Sequence, residues 1–166
     1  MTTVTRTYDY DARAFDPAIA RTMTGLDYMR GVLRGDFPGA PIAGTLGFTL
    51  SEVEAGRAVF TGTPDRFVYN PLGTVHGGYA ATLLDSAMGC AVHSTLPAGV
   101  GYTTLEFKVN FARAITGDTG RVVCEGTLIH RGRTVATAEG RVIAEDTGKL
   151  LAHGTTTCLL FGTNGN

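Results

Sequence analysis

Asn70-Pro71-Leu72-Gly73-Thr74-Val75-His76-Gly77-Gly78 opens a run, continuing to Ala91, on which the reading of the whole chain turns. A polar loop and a glycine pair come first. Beyond them Ala80, Leu83, Leu84, Ala87, Met88 and Ala91 fall at i, i+3, i+4, i+7, i+8 and i+11, one continuous face of an α-helix. The spacing predicts a core helix over residues 76–93, closed by Leu96-Pro97-Ala98-Gly99. One carboxylate, Asp85, stands on it among small and apolar neighbours.

Downstream the period changes from helical to alternating. Thr103, Leu105, Phe107, Val109 and Phe111 alternate with Thr104, Glu106, Lys108 and Asn110, which predicts a strand over 103–111 with one buried face. Strands are also expected over 120–130, 134–145 and 150–161, separated by Arg131-Gly132-Arg133 and Asp146-Thr147-Gly148-Lys149, both short enough for antiparallel hairpins. Upstream, residues 46–53 and 57–63 read as two strands joined at Glu54-Ala55-Gly56.

Earlier still, Asp16-Pro17 suits a helix start, and Ile19, Met23, Leu26, Met29, Val32 and Leu33 recur at near-helical spacing as far as Gly35. Phe37-Pro38-Gly39-Ala40-Pro41 is a turn-rich connection. The expected organisation is an N-terminal arm and helix over 1–42, loose up to residue 15, one domain over 43–161, and a frayed tail over 162–166. Helix, two strands, core helix and four strands show no βαβ alternation and no repeat. They predict an α+β fold in which an antiparallel sheet wraps one long helix.

Bulk properties narrow the function. With 166 residues the chain suits a single domain, and a net charge of −1 without a basic run gives no support for nucleic-acid binding. The 23 glycines are about twice the usual share. Cys90, Cys124 and Cys158 form no CxxC pair and read as small buried residues in a reducing compartment. The N-terminus lacks the apolar segment of a secretory signal, and no window suits a membrane span, so a cytoplasmic protein without a membrane partner is expected. His93, His130 and His153 share no ligand spacing, so no metal is expected. Ser86, Ser94 and Cys90 lack a nucleophile-elbow setting.

The order of elements, with His76-Gly77-Gly78 opening the central helix and Asp85 nine positions after the histidine, resembles the hotdog-fold thioesterases, in particular the PaaI-like (phenylacetyl-CoA thioesterase) group. The similarity runs from about Pro41 to Phe161 and includes Asn70, the Thr-Thr-Leu-Glu-Phe-Lys-Val-Asn-Phe strand and the His-Arg-Gly-Arg-Thr hairpin. The early helix is similar to N-terminal extensions of some members. The resemblance implies hydrolysis of acyl-CoA thioesters without metal or cofactor. It implies Asp85 as general base or nucleophile, the Gly77 amide on the thioester carbonyl oxygen and Asn70 assisting there. It also implies Thr104, or the adjacent Thr103, holding the water. Such proteins are built as homodimers, often paired again into tetramers.

The chemistry is reasonable without the family. A thioester carbonyl under attack gathers negative charge on oxygen, and amides at a helix start have no intrahelical partner and carry the positive end of the dipole. Glycines at 77 and 78 let a ligand approach that backbone. His76 is read as a capping or orienting group rather than an acid or base, Asn70 equally as a turn former or a site residue, and Thr104 as a site residue by family pattern alone. Nine residues separate His76 from Asp85, which on a helix is about 13.5 Å and about half a turn of rotation. They cannot meet on one copy of the helix. A joint action of Gly77 and Asp85 therefore requires a composite site in at least a two-fold dimer, with Gly78, Ala81 and Gly89 leaving room for the partner. The rival reading is a non-catalytic acyl-CoA-binding or sensing protein. Water addition to an enoyl thioester would need a close Asp/His pair, which one subunit does not supply.

Overall fold

The computed structural model describes residues 3–13 and 16–163. Among them six strands form a single antiparallel sheet in the order β1-β2-β4-β5-β6-β3, namely β1 (Phe48–Glu54), β2 (Arg57–Gly62), β3 (Val100–Phe111), β4 (Val122–Arg131), β5 (Val135–Ala144) and β6 (Leu150–Gly162). One long helix, α4 (Gly77–His93), lies against one face of the sheet and packs on all six strands. This is the α+β arrangement that the order of elements predicts and the hotdog architecture that the resemblance implies. The whole expected apolar stripe of α4 is inside: Ala80, Leu83, Leu84, Ala87, Met88 and Ala91 are each no more than 2% exposed. Gly162, read as part of the tail, ends β6, and residues 164–166 lie outside the described residues.

Much of the glycine excess has a structural use here. Gly126, Gly140 and Gly154 are register partners on β4, β5 and β6, a row without side chains beneath the helix. A Cβ at Gly126 would overlap the Ala87 backbone, and one at Gly154 would overlap the Lys108 carbonyl. At Gly140 it would meet side-chain atoms of Leu84 and Met88 at 3.0 Å and the Glu125 carbonyl oxygen at 3.3 Å, a tight fit rather than an overlap. The close approach of helix to sheet therefore depends most on Gly126, where no rotamer change relieves the overlap. Gly126→Ala is expected to destabilise the protein by about 3 kcal/mol, and Gly140→Ala by less. Urea unfolding checks this, and equal stability of the two variants would remove the explanation.

The N-terminal part departs from the single helix expected over 16–35. It forms α1 (Pro17–Thr22) and α2 (Gly25–Arg34). Thr24 breaks the run: its side chain accepts from the Asp27 amide and donates to the Asp27 carboxylate, a reciprocal cap that starts a new helix. Gly25 then sits so close to the His93 carbonyl that any side chain would overlap it, and its amide donates to the Leu96 carbonyl at 2.9 Å. Gly35 ends α2 with φ 83°, as expected of a left-handed cap. The connection read as turns continues into a short helix, α3 (Pro41–Leu46), so β1 begins at Phe48 rather than Leu46. The arm over 3–13 is exposed yet held: Arg6 donates to the Thr45 carbonyl at 2.7 Å, and Arg13 to that of Asp36 at 3.1 Å. Residues 1, 2, 14 and 15 of the expected loose segment lie outside the described residues.

Strand β3 corrects a second expectation. Its alternation does not bury one face, because β3 is an edge strand and its register slips between Thr104 and Glu106. Tyr102 and Thr104 pair with Leu160 and Cys158, whereas Phe107, Val109 and Phe111 pair with Thr156, Gly154 and Ala152. Those β6 partners all sit at even positions on one face, so the extra residue Leu105 turns both halves of β3 toward the helix. Thr104 thereby shares a face with Val109, although strict alternation would oppose them. Leu105 and Phe111 remain about 60% exposed (58% and 60%) on this edge.

Candidate active site

Two cavities lie at different places along α4. The first surrounds its N-terminus. The Asn70 carboxamide ties the preceding loop together: Oδ1 accepts from the amides of Leu72 and Thr74 at 2.9 and 3.3 Å, and Nδ2 donates to Thr74 Oγ1 at 2.9 Å. The Val75 amide then donates to the Ile115 carbonyl, and that of His76 to Val68, so the loop is seated before the helix begins. His76 is the N-cap, and its Nδ1 accepts from the Gly78 amide at 2.8 Å. The capping role read for it is the one it has here. The Gly77 amide donates to no described residue. It borders a cavity of about 440 Å³ lined with His76, Phe111, Arg113 and Ile115.

Asp85 faces the second cavity, of about 720 Å³. Thr104 Oγ1 donates to Asp85 Oδ1 at 3.0 Å, a contact that the Leu105 bulge makes possible by turning Thr104 inward. Thr103 is exposed on the opposite face, which decides between the two threonines as neighbours of the carboxylate. Asp85 and Thr104 are thus brought together, as are His76 and Gly77. The two pairs stay apart, since the eight residues from Gly77 to Asp85 span about 12 Å of helix.

Sequence reasoning missed the remaining walls of the Asp85 cavity. Ser86, Cys90 and His93 follow Asp85 along α4, Tyr102 comes from β3, and Tyr28 and Phe37 come from the N-terminal extension. The signal was present as a second helical stripe, Asp85, Ser86, Gly89, Cys90 and His93, beside the apolar one. The extension carried none, because only folding brings α2 over α4. Tyr28 stacks on Phe37 with centroids 5.1 Å apart and lies against the His93 ring at 5.6 Å. Gly89 offers no space to a partner chain, because the Tyr102 hydroxyl of its own chain would stand 2.9 Å from a Cβ there.

Burial sets the electrostatics around the carboxylate. It pushes the Cys90 thiol up to about 12, with the Asp85 charge adding to the effect, so Cys90 is a neutral thiol and no thiolate nucleophile. Burial, and then the neighbouring Cys90, Cys158 and Asp85, hold the Tyr102 phenol well above its ordinary value. Burial lowers the pKa of His93 and favours its neutral imidazole.

A sequence profile described as the thioesterase superfamily matches residues 72–151, the stretch from the Asn70 loop through β5 into β6. The structure of the phenylacetic acid degradation-related protein of Ralstonia eutropha is 32% identical, covers 80% of this chain and 98% of its own, and superposes with a TM-score of 0.72. The chain belongs to the thioesterase superfamily. A variant of the phenylacetic acid degradation protein PaaI of Thermus thermophilus is 28% identical over 72% of this chain and 98% of its own, with a TM-score of 0.65. A Halobacterium salinarum protein, assigned as an esterase by inference, is 41% identical over 69 residues, 40% of this chain and 44% of that protein's length. This thioesterase-superfamily chain therefore has PaaI-like structural neighbours. No helix among its described residues is long and apolar enough to cross a membrane.

Proposed function

We propose that the protein hydrolyses an acyl-CoA thioester to the free acid and CoA, at sites each assembled from two chains. One observation carries the reading: Asp85, held by Thr104, faces one cavity, while the unpartnered Gly77 amide faces another that the same helix cannot bring to it. In a two-fold dimer the helix start of one chain would face the Asp85 of the other. The β3 edge supports this arrangement, since its outer backbone groups have no neighbouring strand among the described residues and Leu105, Phe107 and Phe111 are exposed along it. On the outer sheet face the cross-strand neighbours Val135 and Leu159 are also exposed, which suits a further pairing of dimers. A cytoplasmic location fits the three free cysteines.

The roles follow from charge. The Gly77 amide, at the positive end of α4, donates to the thioester carbonyl oxygen as it becomes an oxyanion. Asn70 shapes the loop beside it and keeps His76 in its capping position. On the water route Asp85 takes a proton from water while the water oxygen bonds to the carbonyl carbon. The tetrahedral intermediate then expels the CoA thiolate, which takes up a proton, and the acid leaves. On the covalent route the Asp85 carboxylate attacks first, CoA thiolate leaves, and water splits the resulting anhydride. Thr104 fixes the carboxylate on either route. No cofactor is needed for these steps.

Turnover of an acyl-CoA panel, followed with a thiol-detecting reagent, tests the proposal. CoA release above the buffer rate from at least one ester is expected. Tight binding of acyl-CoA without release would favour the alternative, a sensing or binding protein on the same fold.

A further inference from the structure

Thr156, 2% exposed, stands on the face of β6 that meets α4, and its Oγ1 donates to the Glu106 carbonyl of β3 at 2.7 Å. Glu106 is the first residue after the bulge, where the register of β3 on β6 changes. A bulge disrupts its ladder locally, so a side-chain donor here supplies a tie that regular pairing does not guarantee. On the other side of the bulge Tyr102 lies against Gly89, its hydroxyl 2.9 Å from where a Cβ would stand. Thr104, which donates to Asp85 at 3.0 Å, thus sits between two fixed points of β3, one on α4 and one on β6.

Cys158 joins the two threonines. It is the cross-strand partner of Thr104, lies two residues from Thr156 on the same face, and its thiol is in hydrogen-bond reach of both hydroxyls. Burial raises this thiol above its ordinary value and outweighs the opposing effect of those hydroxyls, so it keeps its proton. The Thr104 and Thr156 protons are already engaged on Asp85 and Glu106, so the thiol acts as a donor to their oxygens. We infer that Thr156 is a positioning residue for the reaction: by holding Glu106 it fixes the bulge that aims the Thr104 hydroxyl at Asp85. The inference rests on the thioesterase reading above and extends it to a residue that lines neither cavity. Without the hydroxyl the Glu106 carbonyl loses a donor and the bulge loses one of its two fixed points. Small displacements beside the reacting atoms cost rate rather than affinity.

Thr156→Val keeps the shape of the side chain and deletes the hydroxyl. It is expected to lower kcat about tenfold while KM stays within about twofold. Thr156→Ser keeps the hydroxyl and loses a methyl, so it should retain kcat even where it loses stability, the reverse of what a packing role predicts. Because Thr156 acts through Thr104, the double variant Thr104→Val with Thr156→Val should be no slower than Thr104→Val alone. An unchanged kcat in Thr156→Val, or losses that multiply in the double variant, overturns the inference. Thr156→Ala takes its place if the valine variant does not fold, and a lowered kcat in folded Thr156→Ser overturns the inference on its own. Amide hydrogen exchange reads the same role without turnover. The amides of Thr104, Leu105 and Glu106 should exchange roughly tenfold faster in Thr156→Val than in the wild type, and at the wild-type rate in Thr156→Ser. A wild type that hydrolyses no ester overturns the thioesterase reading, whereas unchanged exchange in Thr156→Val overturns this inference alone.

Discussion

Asp85→Asn is expected to lower kcat/KM at least a thousandfold for every ester the wild type hydrolyses, about 4 kcal/mol of transition-state stabilisation. The substitution is nearly isosteric. Thr104 Oγ1 can still donate to the remaining carbonyl oxygen, as it does to Asp85 Oδ1 at 3.0 Å, so the helix and the bulged strand have no reason to move. What disappears is the negative charge and with it the capacity to take a proton or attack a carbonyl. The melting temperature should therefore stay near that of the wild type while the rate collapses. A variant that keeps its rate within a few-fold would remove Asp85 from the mechanism. If the wild type shows a stoichiometric burst of CoA before steady state, the covalent route is in use. Linear release from the first turnover favours direct water attack.

The legible and illegible parts of this chain divide by the range of the interactions that decide them. The stripe from Ala80 to Ala91 announces α4 because a helix repeats its environment every three or four residues. The hairpins β4–β5 and β5–β6 announce themselves through Gly132 and Gly148 for a similar local reason. The break at Thr24 was also local, a cap available at Thr24-x-x-Asp27, but the continuing apolar spacing of Leu26, Met29 and Leu33 masked it. The inward turn of Thr104 could not be read, since strict alternation of β3 in sequence conceals the bulge at Leu105 that β6 imposes. The glycine row was visible only as composition until register aligned Gly126 with Gly140 and Gly154. At the site, the residues marked by the family pattern were found, and the cavity walls that only folding assembles were missed. Asp85, His76, Asn70 and Thr104 belong to the first kind, and Tyr28, Phe37, Tyr102, Cys90 and His93 to the second.

A mixed dimer gives the second large effect, because it separates a composite site from one contained in a single chain. Gly77 is the first residue of α4, a position that tolerates proline, and His76 before it has φ −63° and ψ 137°, the extended backbone that a following proline requires. Gly77→Pro should therefore keep the helix and delete only the amide proposed to hold the oxyanion. Its added ring atoms would meet only the far end of the Phe111 side chain and no backbone. Loss of one such donor typically costs about a hundredfold to a thousandfold in kcat. Each homodimer, Asp85→Asn or Gly77→Pro, should thus be nearly inactive. When the two are co-expressed with different tags, the mixed dimer has one site that combines both substitutions and one that has neither, because each chain gives its helix start to one site and its carboxylate to the other. Roughly half of the wild-type activity per dimer should return. If every site lay within one chain, each site of the mixed dimer would carry one lesion, and activity would not exceed the mean of the two homodimers. Rates from the doubly purified species decide between these arrangements, and they do so without knowledge of the preferred acyl group.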